Sequence, residues 1–191
     1  LGLAANADGT ERKTYCIIGD GEAREGQITE ALDFIMDHNL TNVLPIFNCN
    51  SYGQAGAVSE QQSPERLTSK LQAFGFEVAT IDGHSPNEIK AAFDQFNSEG
   101  RTQPMAVVAK TVKGWGAPSM QGGNWHGKPA NKDQVQDVIA ELRQTGMSLT
   151  SSLSTVSIEI QAIGTSNTGD IWDARNDFLN GKMKKNYSFG I

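Results

Sequence analysis

The chain has 191 residues, enough to bury a sizeable core in one domain. Its 16 Lys and Arg stand against 22 Asp and Glu, a net charge of −6, which argues against a nucleic-acid partner held by phosphate neutralisation. No apolar run approaches about eighteen residues, so the sequence offers no membrane-spanning helix, and two isolated cysteines make no disulfide framework, which points to a reducing cytoplasm.

Leu1-Gly2-Leu3-Ala4-Ala5-Asn6-Ala7 reads as a helix with no capping residue before it. Tyr15-Cys16-Ile17-Ile18 reads as a strand, followed by the turn Gly19-Asp20-Gly21-Glu22. An amphipathic helix is expected over 27–38, with Ile28, Ala31, Leu32, Ile35 and Met36 on one face. His38 near its end suits the helix dipole. Val43-Leu44-Pro45-Ile46 starts a second strand that runs toward Asn50, although Pro45 removes a ladder donor and suits an edge or bulge. Ser63-Pro64-Glu65 reads as cap, first-turn proline and acidic first turn of a helix carrying Leu67, Leu71 and Phe74 inward. A strand over 76–81 follows. Ser85-Pro86-Asn87-Glu88 then reads as a capping box that opens a helix bearing Ile89, Ala92, Phe93 and Phe96. A short buried strand over 105–109 leads into a glycine-rich loop over 110–128. Asn131-Lys132-Asp133-Gln134 starts a last helix with Val135, Val138, Ile139 and Leu142 inward. The pattern stops near Gly146. A Ser/Thr-rich stretch, a weakly alternating segment over 156–163 and a basic cluster at Lys182, Lys184 and Lys185 complete the chain. Strands alternating with helices predict an α/β fold: a mostly parallel sheet with helices on both faces.

Asp20 and Asn50 stand out in this frame. A strand–helix–strand unit with a right-handed crossover makes its two strands parallel, so both residues fall at the strand ends on one edge, where open α/β sheets bind ligands. One carboxylate and one amide oxygen converge there, beside glycines that let a phosphate approach backbone N–H groups. Oxygen donors of this kind suit a hard cation. A single carboxylate leaves the remaining positions of Mg²⁺ to phosphate oxygens and water.

The residues around this pair resemble the transketolase family. The thiamine diphosphate motif of that family is similar to Gly19-Asp20-Gly21, a spacer of about thirty residues, then Asn50. Gly19 to Gln27, Glu30-Ala31-Leu32-Asp33-Phe34, Asn50-Ser51-Tyr52-Gly53-Gln54, Asp82-Gly83-His84, Lys110-Thr111-Val112-Lys113-Gly114-Trp115-Gly116 and Trp125-His126-Gly127-Lys128 extend the likeness in order. Asn48-Cys49-Asn50 departs from the frequent Asp-Asp-Asn. Together with Gly-Asp-Gly-Glu it is also similar to the homodimeric pyruvate dehydrogenase E1 component.

The resemblance implies thiamine diphosphate and Mg²⁺ (or Ca²⁺) as cofactors. Asp20 and Asn50 would bind the metal through side-chain oxygens and Tyr52 through its carbonyl. Gly19, Asp20, Gly21, Glu22, Asn50, Tyr52 and His126 would line the cofactor, with Gly21 contacting the diphosphate. His126 would lie over the diphosphate and the reacting end of the substrate, as the one candidate catalytic residue. Glu25 matches a glutamate near the subunit interface of the family. His84 reads as structural, because its turn chemistry already explains it; Trp115 and Trp125 either wall the cleft or anchor their loop. The implied activity is transfer of a two-carbon ketol unit between sugar phosphates, in a homodimer or paired with a pyrimidine-binding domain. Decarboxylation of a 2-oxo acid and a non-catalytic cofactor-binding or assembly module are the alternatives. Residues 1–146 would be an N-terminally incomplete diphosphate-binding domain, and 147–191 a linker or tail toward a pyrimidine-binding domain.

Overall fold

The computed structural model describes residues 1–122 and 125–149. The weakly alternating segment 156–163 and the terminal lysine cluster lie outside the described residues. Helix α1 is Gly2–Ala7, opened by Leu1 with no side-chain cap. Strand β1 is Thr14–Gly19, helix α2 Gly26–Asp37 and strand β2 Val43–Cys49. Helix α3 is Pro64–Phe74, strand β3 Glu77–Asp82, helix α4 Pro86–Asn97, strand β4 Met105–Lys110 and helix α5 Val135–Ser148.

The four strands pair in the order β1-β2-β4-β3, all parallel. Alternation along each strand divides the core into two layers. Ile18, Phe47, Cys49, Ala106 and Val108 face Leu32 and Ile35 of α2 and Leu67 and Leu71 of α3. Leu44, Met105, Val107 and Ala109 face Ala92 and Phe96 of α4 on the other side. The sheet is thus an α/β sheet with helices on both faces, but the cover is uneven. β1 is an edge strand, and Ile17 on it is 73% exposed although it lies in a parallel sheet.

Pro45 needs no bulge. It is paired with Cys16 of β1, but the ladder to β4 begins only at Ile46, so Pro45 has a strand on one side alone. The helix starts follow the sequence where serine caps them. Ser63 Oγ accepts from Arg66 N (3.3 Å) and Ser85 Oγ from Glu88 N (3.4 Å). The reciprocal half of the capping box does not form, because the Glu88 carboxylate instead accepts from Asp82 N (2.8 Å), at the end of β3.

Two further expectations are corrected. Ala31 is exposed, because the buried face of α2 narrows to Leu32 and Ile35. α5 begins at Val135, and Leu142 on it is 48% exposed. This helix meets the loop after β4 instead of a sheet face: Thr145 Oγ1 donates to Gly116 O (2.9 Å), and Glu141 Oε2 accepts from Ser119 N (3.1 Å) and Ser119 Oγ (2.8 Å). That loop carries a 3-10 turn at Pro118–Met120 that the sequence did not suggest. No helix among the described residues is long and apolar enough to cross a membrane.

Candidate functional site

The carboxyl ends of β1 and β2 open into a cleft of about 770 Å³, lined by Asp20, Gly21, Asn50, Tyr52, Lys113 and His126 among others. This is the size of an ordinary small-molecule site. Gly19 lies opposite Asn48 in the ladder, and Asp20 N continues it by donating to Asn48 O (3.2 Å). Asp20 is therefore delivered by the end of β1, and Asn50 by the residue that follows β2.

Asp20 is 2% exposed. Its Oδ1 accepts from Gly21 N (2.7 Å) and its Oδ2 from Ser51 N (2.6 Å). These bonds fix the carboxylate and hold Ser51 at φ +66°, a left-handed conformation unusual outside glycine. Asn50 Oδ1 accepts from Tyr52 N (3.0 Å), closing an Asx turn. The chain then folds back as a tight loop, with Gly53 N donating to Gly56 O (2.8 Å) and Val58 N to Ser51 O (3.0 Å).

On the other wall Glu22 Oε2 accepts from Gly19 N (3.1 Å) at the head of the 3-10 turn Glu22–Arg24. Glu25, which precedes α2, also lines the cleft. Gly21 has φ −65° and ψ −36°, a conformation open to any residue. Its value is the space it leaves: an added Cβ would lie 3.5 Å from Gly53 Cα, filling the cleft without a clash.

The structure also brings in a residue that sequence reading passed over. Lys113 Nζ reaches Gly53 O (3.4 Å) and His126 Nδ1 (3.4 Å), and stands 6.0 Å from the Tyr52 ring centroid. An ammonium only donates, so in this contact Lys113 Nζ is the donor and His126 Nδ1 the acceptor. Lys113 lies in the quoted segment Lys110 to Gly116, where nothing in the sequence separates it from Lys110. The fold separates them, for Lys110 turns outward to Glu65 (2.8 Å), which holds the Glu65 carboxyl below its usual range.

Trp115 does not line the cleft; it stacks on His84 outside it. Cys49 sits beneath the site, 3% exposed. Burial, then the negative fields of Asp20 and Glu65, push its thiol up to about 12, against a smaller opposing effect of Lys110. Cys49 is therefore an inert packing group.

The chemistry of the donor set suits a bridged anion and cation. Asp20 is a buried carboxylate that pairs with no Lys or Arg among the described residues, an arrangement costly unless a cation compensates it. Each of its oxygens, and Asn50 Oδ1, keeps a second lone pair. Among the described residues no group of three or more His, Cys, Asp or Glu could hold a metal alone. A cation here would therefore take further oxygens from an anionic ligand, and Lys113 stands ready to meet that anion.

A family model described as "Transketolase, thiamine diphosphate binding domain" matches residues 4–162. Transketolase-like protein 2 of Bos taurus is 35% identical over 133 residues, covering 69% of this chain and 21% of that protein. Transketolase of Mus musculus is 35% identical over 136 residues, covering 71% of this chain and 21% of that protein. The crystal structure of transketolase from Campylobacter jejuni aligns at a TM-score of 0.60 and 29% identity, over 76% of this chain and 23% of that chain. The chain thus spans about a fifth of the length of these curated relatives.

Proposed function

The chain belongs to the transketolase thiamine diphosphate-binding domain family, and from that membership we propose that its cleft holds the diphosphate end of thiamine diphosphate and a Mg²⁺ ion, with Ca²⁺ as a substitute. The observation that carries this reading is the buried Asp20 carboxylate, paired with no Lys or Arg among the described residues, facing the same cleft as the Lys113 ammonium. Asp20 and Asn50 hold the cation through their side-chain oxygens, and Tyr52 through its carbonyl. Gly19, Gly21 and Glu22 form the wall against the diphosphate, and Lys113 neutralises part of its charge. Gly21, whose N–H donates to Asp20 Oδ1, would give the diphosphate a backbone contact.

Thiamine diphosphate, when bound, supplies the chemistry that moves a two-carbon unit from a ketose phosphate to an aldose phosphate. His126 acts on the substrate side. Lys113 engages the ring at Nδ1, so Nε2 is the ring atom that would meet the substrate. The catalytic partners that grip the pyrimidine end belong to a second domain or subunit, with Glu25 near that contact. Residues 1–146 form the diphosphate-binding part and 147–191 lead toward the other. The cytoplasm, with its sugar phosphates, is the setting.

Asp20→Asn, which keeps size and an acceptor, is the test of the metal site in the complete protein. Calorimetry with thiamine diphosphate and Mg²⁺ should show at least a tenfold weaker complex, as expected for loss of a charged ligand. Unchanged binding would remove the metal assignment. A substrate panel with xylulose 5-phosphate and pyruvate then decides the reaction. Two-carbon transfer supports the proposal, and turnover of pyruvate alone replaces it with 2-oxo acid decarboxylation.

A further inference from the structure

The loop that delivers Lys113 is gripped from outside the cleft by a residue so far without a role. At the end of β3, Gly83 N donates to Lys110 O (2.8 Å). His84 Nε2 accepts from Val112 N (2.9 Å), and the His84 ring lies parallel to Trp115 at 6°, with centroids 4.6 Å apart. Asp82 Oδ1 accepts from His84 N (2.9 Å), which fixes the turn from which the ring projects. Gly83 has no room for a side chain, since a Cβ there would strike Thr111 Cγ2 and approach Lys110 O to 3.2 Å. The turn after β3 therefore meets the loop at Lys110, Val112 and Trp115. Lys113 lies between the last two, with its ammonium directed to Gly53 and His126.

A lysine stem has four rotatable carbons, so an ammonium stays at one place only where its backbone is held. Among the described residues this loop is also tied to the strands under the cleft at Thr111, whose N donates to Cys49 O (2.9 Å) and whose hydroxyl donates to Asn48 Oδ1. That tie lies before Lys113. After it, the Trp115 stack and the local turn bonds Trp115 N to Val112 O (3.0 Å) and Ala117 N to Gly114 O (3.1 Å) continue the restraint, and the bonds from Gly116 and Ser119 to α5 hold the far end of the loop.

We propose that His84 is a positioning residue. As acceptor for Val112 and platform for Trp115, it holds the loop so that Lys113 stands in the cleft beside His126. The consequence for cofactor binding rests on the function proposed above; the grip itself does not.

Two variants separate the halves of the grip. His84→Phe keeps an aromatic face for Trp115 and removes the acceptor. His84→Gln restores an acceptor near the Nε2 position and removes the stack. Amide hydrogen exchange on the 191-residue chain reads the result at Val112, with Val108 in the β4 core as the internal reference. Val112 exchange should rise roughly tenfold in His84→Phe, fall back most of the way in His84→Gln, and leave Val108 unchanged in both. Tryptic cleavage after Lys113 should follow the same order. Unchanged Val112 exchange in His84→Phe, or no recovery in His84→Gln, overturns the proposal. An equal rise at Val108 also ends it, because His84 would then be a general stability residue. Lys113→Met isolates the functional reading. It should leave Val112 protected, and in the complete protein it should weaken thiamine diphosphate binding. Indifference of that binding to Lys113→Met would defeat the diphosphate assignment while the exchange result on His84 stands.

Discussion

Glycine at position 21 and cysteine at position 49 are both silent in charge, yet each makes a definite statement about the cleft. Gly21 occupies an ordinary helical conformation, so Gly21→Ala removes freedom from the unfolded chain without strain. It should stabilise the fold by about 0.4–1 kcal/mol, while its methyl occupies the diphosphate wall. Thermal unfolding should shift upward and cofactor affinity in the complete protein should fall together. A variant that binds as tightly as the parent would show that the diphosphate does not approach this backbone. Cys49 carries a thiol held up to about 12, whereas Cys16 is exposed. A disulfide reagent at pH 8 should therefore modify one thiol in the native chain and both in denaturant. The sign for stability follows from the raised value. The stabilising contribution of Cys49 is intact below its ordinary value of 9.0, and it is lost as pH rises toward about 12. Cys49→Ala should flatten that alkaline decline in a denaturation series.

Among the secondary-structure elements, α3 and α4 begin where serine and proline dictate, and their caps are local devices. Removing the Ser63 hydroxyl leaves the Arg66 N–H without its acceptor. Ser63→Ala should cost about 1 kcal/mol, within the range for such caps, read as a lower urea midpoint with unchanged slope. A loss near zero would assign the cap to solvent. β1 and β2 place Asp20 and Asn50 because the ladder runs in register up to Gly19 and Asn48. α5 behaves otherwise. It has an apolar stripe, but that stripe meets the loop after β4, and Leu142 stays half exposed. An amphipathic period shows that a helix has an inner face and says nothing of which surface receives it.

Among the described residues, the β1 side of the sheet exposes apolar side chains that a parallel sheet ordinarily covers. Ile17 is 73% exposed, Phe34 45% and Leu3 42%. Around α1, β1 and α2 lies an open cavity of about 410 Å³ lined mainly by apolar side chains, among them Leu3, Ile18, Ile28 and Phe34. Apolar surface of this kind favours association. The 191-residue chain should therefore show concentration-dependent association in sedimentation velocity, and Ile17→Lys should reduce it. On the proposed function, in which the cleft holds the diphosphate end and a second domain or subunit the pyrimidine end, the same chain alone should bind thiamine diphosphate weakly and carry out no two-carbon transfer. Measurable transfer by the purified chain would overturn that expectation.

The alternation of strand and helix and the serine caps were legible in the sequence because each depends on neighbours within one or two turns of chain, and the convergence of Asp20 and Asn50 because a single right-handed crossover makes their two strands parallel. The α/β class follows from the alternation, and the family resemblance from the ordered motif segments around the pair. The strand order, the one-sided pairing that accommodates Pro45, the exposure of Ile17 and the seat of α5 were not legible, because they depend on which surfaces meet across long separations. The candidate site divides the same way. Asp20, Asn50 and His126 could be named from motifs. Lys113 could not be told from Lys110 until β4 and the turn at Gly83 and His84 sent one lysine to Glu65 and the other into the cleft. Residue type sets what a side chain can bind, but only the packed backbone decides where its charge is held.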